Sequence, residues 1–83
     1  MFYVYLIQSQ LDHSFYVGYT KDLENRLKQH NNGGSTYTKR KIPWTLVYTE
    51  SFENKSDALK RELFLKKQRN INFYQSLVDN SDR

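Results

Sequence analysis

FYVYLIQSQLDHSFYVGYTKDLENRLKQH, Phe2 to His30, is the stretch whose reading decides the fold. Phe2 to Gln8 is apolar or aromatic on both alternating faces, Phe2/Val4/Leu6 on one and Tyr3/Tyr5/Ile7 on the other, as in a central strand covered on two sides. Asp12-His13-Ser14 supplies turn chemistry and Phe15 to Tyr19 forms a second β-rich run, which together predict an antiparallel hairpin. Gly18 interrupts the second strand and marks either a bulge or a place where another backbone or a ligand comes close. Thr20 is a candidate N-cap, Asp22 suits the positive end of a first turn, and Leu23 and Leu27 lie four apart, so a helix is expected from Lys21 to His30.

Outward from this unit, Asn31-Asn32-Gly33-Gly34 stops the helix, and the polar, basic Ser35 to Ile42 is expected to be the most mobile element. Pro43 separates it from Trp44 to Phe52, whose β-branched and aromatic content predicts a third strand, with Trp44 in the core. Asn54 or Ser56 can cap a second helix over Asp57 to Gln68, with Ala58, Leu59, Leu63 and Leu65 as its inward stripe. Ile71 to Val78 predicts a short C-terminal helix, and residues 80–83 are expected to fray. The order ββαβαα implies an α+β domain over residues 1–79, a small three-stranded antiparallel sheet flanked by helices.

A chain of 83 residues supports one hydrophobic core. It contains no cysteine, which excludes disulfides, a thiolate nucleophile and cysteine-ligated zinc together. No apolar run approaches the ~18–20 residues of a membrane span and the N-terminus lacks a secretory pattern, so the chain reads as soluble and cytoplasmic. Thirteen Lys and Arg against nine Asp and Glu give a formal charge of +4, a bias toward anionic partners.

Two features depart from ordinary patterning. Glu62 lies four residues after Ala58 and three before Leu65, which brings a carboxylate into the apolar stripe. Buried there, it requires a partner from another element, an Arg or Lys, a hydrogen-bond cluster or a metal, because Arg61 beside it points elsewhere. Arg26 and His30 are spaced i,i+4 and stack on one side of the first helix beside Leu23 and Leu27. Taken singly, Arg26 reads as a surface arginine and His30 as a residue favouring the negative helix end. Combined with Glu62 and a tyrosine-rich sheet, they suit phosphodiester hydrolysis, which needs a polarised phosphate, a neutralised charge and an activated water. A hard divalent cation can be held by Glu62 alone, Arg26 can grip phosphate, and Tyr5 or His30 can take a proton from water.

At these residues the sequence resembles the GIY-YIG nuclease domain. Tyr3-Val4-Tyr5 and Tyr16-Val17-Gly18 stand for the two name-giving triplets, Arg26 for the catalytic arginine and Glu62 for the metal-binding glutamate, over nearly the whole chain from Phe2 to about Lys67. The run from Tyr16 to His30, with Pro43-Trp44 and Leu46-Val47-Tyr48, is most similar to the small stand-alone bacterial branch, itself similar to the catalytic domain of the eukaryotic structure-specific endonuclease; His30 matches a histidine of that branch. The resemblance implies an endonuclease that uses Mg²⁺ or Mn²⁺ on DNA, at branched or damaged structures, with Tyr5, Tyr16, Arg26, His30 and Glu62 as catalytic residues and Glu62 as the metal ligand. Tyr3 replaces the first glycine of the pattern, and Tyr19 stands where some relatives carry a lysine.

Tyr19, Lys39, Arg40 and Lys41 are candidate nucleic-acid contacts, the three cations either gripping the backbone without reading sequence or lying in a solvated loop. Lys60, Lys66, Lys67 and Arg69 read as helix-face and C-terminal dipole charges. Relatives take target choice from attached modules, which implies an accessory protein here. The alternative is a nucleic-acid-binding module of the same fold with little or no catalysis.

Overall fold

The structure, a computed structural model, describes residues 1–81. The element order is β1 (Phe2–Ser9), β2 (Phe15–Thr20), α1 (Leu23–Asn31), a single 3-10 turn (Lys39–Lys41), β3 (Trp44–Phe52), α2 (Lys55–Gln68) and α3 (Ile71–Ser81). The strands form one antiparallel sheet in the order β2-β1-β3, which puts the strand that is apolar on both faces in the centre. In register, Tyr5 faces Gly18 and Ile7 faces Tyr16 across β1 and β2, and a shift between Leu6 and Ile7 kinks the pairing with β3.

The alternation of β1 builds two cores. Val4, Leu6 and Val17 pack with Ala58 and Leu65 of α2 and Tyr74 of α3. Tyr5, Ile7 and Trp44 form the second cluster with Tyr16, Leu23, Leu27, Ile42 and Leu46, under α1. Trp44 is buried, as its composition and place in β3 predict.

Several boundaries differ from the sequence expectation. The N-cap of α1 is Asp22, whose side chain accepts from the Asn25 amide at 3.1 Å, while Thr20 Oγ1 instead accepts from the Asp22 amide at 3.1 Å and shapes the turn before it. Asn54 caps α2 by accepting from the Asp57 amide at 2.9 Å, so that helix starts two residues earlier than expected. On its inner side Ala58 and Leu65 are buried, whereas Leu59 and Leu63 are 40% and 55% exposed, so the inward stripe is narrower than the leucine pattern suggests. The last helix continues to Ser81, with Asp79 and Asn80 inside it; fraying at Asp82 and Arg83 lies outside the described residues. Among the described residues no helix is long and apolar enough to cross a membrane.

The basic segment, expected to be the most mobile, is anchored. Thr38 is fully buried, Trp44 Nε1 donates to its carbonyl at 2.8 Å, and Ser9 Oγ donates to the Lys41 carbonyl at 2.7 Å. Satisfied hydrogen bonds to the sheet hold a stretch whose polar composition alone reads as loop.

Candidate active site

The residues on the α1 face meet around the Tyr5 hydroxyl. Tyr5 lies across Gly18, where any Cβ would collide with its ring, so the glycine answers to a side chain rather than to a bulge. Beyond Gly18 the Tyr5 hydroxyl lies 2.8 Å from His30 Nε2, and His30 Nδ1 lies 2.7 Å from Thr38 Oγ1. All three residues are buried. Asn31 holds the next layer: the Trp44 amide donates to its Oδ1 at 2.6 Å and its Nδ2 donates to the Trp44 carbonyl at 3.0 Å. Thus α1 is fastened to the start of β3 beside the histidine, which fixes the imidazole between two hydroxyls.

Tyr16, two residues before Gly18 and on the same sheet face as Tyr5, meets His30 edge-on with ring centroids 5.3 Å apart. It also meets Trp44 at 6.3 Å and Tyr37 at 5.5 Å. Arg26, one turn before His30, is an exposed residue and lines a narrow packing gap with Tyr5, Ile7, Leu23, Leu27 and Leu46.

The electrostatics tie these residues together. Burial pushes the Tyr5 phenol well above its ordinary range, Tyr16 and Glu62 add to that, and Arg26 opposes it. Burial lowers the His30 pKa and the Arg26 guanidinium lowers it further. At neutral pH the pair is therefore a protonated phenol beside a neutral imidazole. A free Tyr5 phenolate is disfavoured as the resting base. A neutral His30 can accept a proton at Nε2 while donating from Nδ1 to Thr38.

Glu62 is only 19% exposed in its side chain and pairs with Lys66 Nζ at 3.3 Å, one turn along the same helix. The ion-pair partner expected from another element belongs to its neighbour instead. Arg61 reaches β3 and donates from Nε and Nη2 to Glu50 at 3.0 and 2.9 Å, with the Tyr48 hydroxyl donating to the same carboxylate at 2.6 Å. No group of three or more His, Cys, Asp or Glu side chains among the described residues could hold a metal ion. A single, largely buried carboxylate with one lysine partner suits a hard cation that retains most of its waters, rather than a closed tetrahedral site.

The candidate nucleic-acid contacts separate. Lys39 and Arg40 are exposed. Lys41 is folded back on the β1–β2 turn, with Nζ 3.3 Å from Asp12 Oδ2 and 3.3 Å from Ser14 Oγ. Tyr19 stacks on Phe2, centroids 6.2 Å apart, and packs against the core on the opposite sheet face. The signal for this was present, since Tyr16 and Tyr19 are three apart and an odd separation in a strand puts side chains on opposite faces. Thr38, Asn31 and Lys66 lie at this place without the sequence having pointed to them as site residues. Thr38 and Asn31 act through partners distant in sequence. Lys66 is more than a dipole charge, for it pairs with Glu62 and lines an open groove of ≈ 220 Å³ with Phe15, Tyr16, Val17, Tyr37 and Tyr74.

Comparison with known proteins bears on the family and the fold. A family described as the GIY-YIG catalytic domain matches residues 1–75. A UPF0213 protein of Staphylococcus saprophyticus is 51% identical over 65 residues, covering 77% of this chain and 78% of the relative. One from Clostridium perfringens is 50% identical over 68 residues, covering 81% and 72%, and one from the archaeon Halobacterium salinarum is 45% identical over 67 residues, covering 80% and 86%. The solution NMR structure of a UPF0213 protein from Bacillus halodurans superposes with a TM-score of 0.56 at 36% identity, covering 95% of this chain and 84% of that one.

Proposed function

We propose that this chain, which belongs to the GIY-YIG catalytic domain family, is a metal-dependent endonuclease that hydrolyses DNA phosphodiester bonds at branched or damaged structures. The observation that carries the reading is the buried Tyr5–His30 hydrogen bond, at 2.8 Å, with the Tyr16 ring edge-on to His30 and Arg26 lining the same packing gap as Tyr5. Burial of a histidine and a phenol against each other is costly in so small a domain, and sites where local rules give way are where function concentrates.

In the proposed reaction Tyr5 takes a proton from the attacking water as its own proton passes to His30 Nε2. The water O–H bond breaks, the Tyr5 O–H bond is re-formed, and the imidazole carries the proton while Thr38 receives the Nδ1 hydrogen bond. This route keeps Tyr5 from ever holding a stable phenolate, which its surroundings disfavour. Arg26 grips the phosphate and stays charged as negative charge builds on it. Tyr16 packs against His30 and fixes the ring plane. Glu62 would hold a Mg²⁺ or Mn²⁺ ion, which when bound supplies Lewis-acid polarisation of a phosphate oxygen. Target choice falls to the DNA structure or to an accessory protein.

One observation favours a second reading, a nucleic-acid-binding module without turnover: Lys66 already neutralises Glu62 at 3.3 Å. The two are separated by cleavage of a labelled panel of linear, flapped and four-way-junction DNA with Mn²⁺, comparing wild type with Arg26→Ala and Glu62→Gln. The nuclease reading expects cutting by wild type and none by either variant. Absence of cutting by wild type, or equal cutting by all three, removes it. Melting the same proteins adds a check, since loss of an i,i+4 pair whose lysine is exposed costs about 1 kcal/mol, so a large drop for Glu62→Gln marks the carboxylate as structural instead.

A further inference from the structure

We propose that the groove beside Tyr16 is a subsite for one unpaired nucleotide of the strand being cut, with the Tyr37 ring stacking on the base and Lys66 taking a neighbouring phosphate. The inference rests on the nuclease reading and narrows its substrate to DNA that is single-stranded next to the scissile bond.

Tyr37 is 64% exposed, an unusual place for a ring in a chain this small, yet it is not loosely held. Its neighbour Thr38 is fully buried, bonded to His30 and to Trp44. The backbone that presents Tyr37 is therefore fastened to the same histidine that serves the Tyr5 hydroxyl. Its ring leans on Tyr16 at 5.5 Å with an interplanar angle of 35°, and Tyr16 in turn touches His30. A continuous aromatic surface thus runs from the buried pair out to solvent.

The groove along this surface measures ≈ 220 Å³ and is lined by Phe15, Tyr16, Val17, Tyr37, Lys66 and Tyr74. That is below the ~300–1,000 Å³ of pockets that enclose small molecules, and its open, ring-walled shape suits one planar group lying against a wall. It carries one cation, Lys66, and no carboxylate, which fits a group bearing a single phosphate. A base inside a duplex has both faces covered by its neighbours, so away from duplex ends an unpaired nucleotide is what offers a face to Tyr37. Stacking of this kind tolerates any base, because each has a π-face. Lys66 also links the groove to Glu62 at 3.3 Å. A phosphate that draws the ammonium toward the groove releases the carboxylate, so filling the subsite and freeing Glu62 go together.

The test is fluorescence polarisation of a fluorescein-labelled oligothymidylate and of a labelled blunt hairpin duplex, with Ca²⁺ in place of Mg²⁺. Wild type should bind the single strand more tightly than the duplex. Tyr37→Ala should weaken single-strand binding by about tenfold and leave duplex binding unchanged, with Tyr37→Phe restoring the affinity. Lys66→Ala should reduce the salt dependence of single-strand binding by about 0.7 in log–log slope, one phosphate contact. Because Tyr37 is exposed, its variants should melt with wild type, which checks that the fold is intact. Cleavage of flapped DNA by the same preparations separates the two failures. If wild type cuts while Tyr37→Ala binds and cuts equally well, or if wild type does not favour the single strand, the subsite is overturned and the nuclease stands. Wild type that neither binds nor cuts any DNA overturns both.

Discussion

The two faces of the central strand are built from adjacent residues and do opposite things. On one, Val4 and Leu6 pack dry against Ala58, Leu65 and Tyr74. On the other, Tyr5 and Ile7 lie beside a chain of buried hydroxyl, imidazole and hydroxyl running from Tyr5 through His30 to Thr38. Every polar side-chain atom buried in the described residues has a hydrogen-bond partner, so the second face is a satisfied network rather than a defect. The difference teaches that the α2/α3 face is built from apolar packing, while the α1 face takes a buried polar network into its apolar cluster for the sake of position.

Substitutions should divide along the same line. The largest stability effect is expected from Leu6→Ala on the dry face. Leu6 is fully buried, and its truncation should cost about 2–5 kcal/mol in urea unfolding, with cleavage per folded molecule little changed at low temperature. A loss of cleavage without a loss of stability would erase the division. Thr38→Val comes next. It removes the partner of His30 Nδ1 and leaves a buried polar atom unpaired, at about 1–3 kcal/mol, yet cleavage should fall far more than stability predicts because the imidazole loses its orientation. If rate and stability fall in proportion, Thr38 is merely structural.

The smallest effect is the pH dependence of stability. The folded pKa of His30 lies below its unfolded value of about 6.5, so the unfolded chain binds more protons in the window beneath that value. The contribution is complete above about 6.5 and is lost as pH falls toward the lowered folded pKa. Melting temperature should therefore decline on acidification from neutral in wild type, and less steeply in His30→Gln. A His30→Gln protein with the same slope would show that the histidine is not held neutral.

Much of this architecture was legible without coordinates. Strand β1 had no polar face to leave in water, so it had to be central. The i,i+4 spacing of Arg26 and His30 put both on one side of α1, and the triplets around Tyr5 and Tyr16 carried the family. Helix α2 was less legible, because two stripes compete in it. Ala58 and Leu65 turn inward, with Arg61 and Glu62 flanking them, while Leu59 and Leu63 face solvent. Apolar content alone favours the leucines. The sheet selects the other stripe, in which Arg61 finds Glu50 on β3 and Glu62 comes within electrostatic reach of Tyr5.

By itself, then, the sequence determined the elements, their order and which residues are chemically able to act, since these follow from local periodicity, capping and residue type. Only the tertiary structure decided partners. His30 meets Tyr5 from 25 positions away, a polar loop is pinned through Thr38, Lys66 sits on Glu62, and Tyr37 is offered to solvent beside Tyr16. Hydrogen bonds and ion pairs are set by distances of about 3 Å between atoms, and such distances between residues far apart in sequence are fixed by packing rather than by any local pattern.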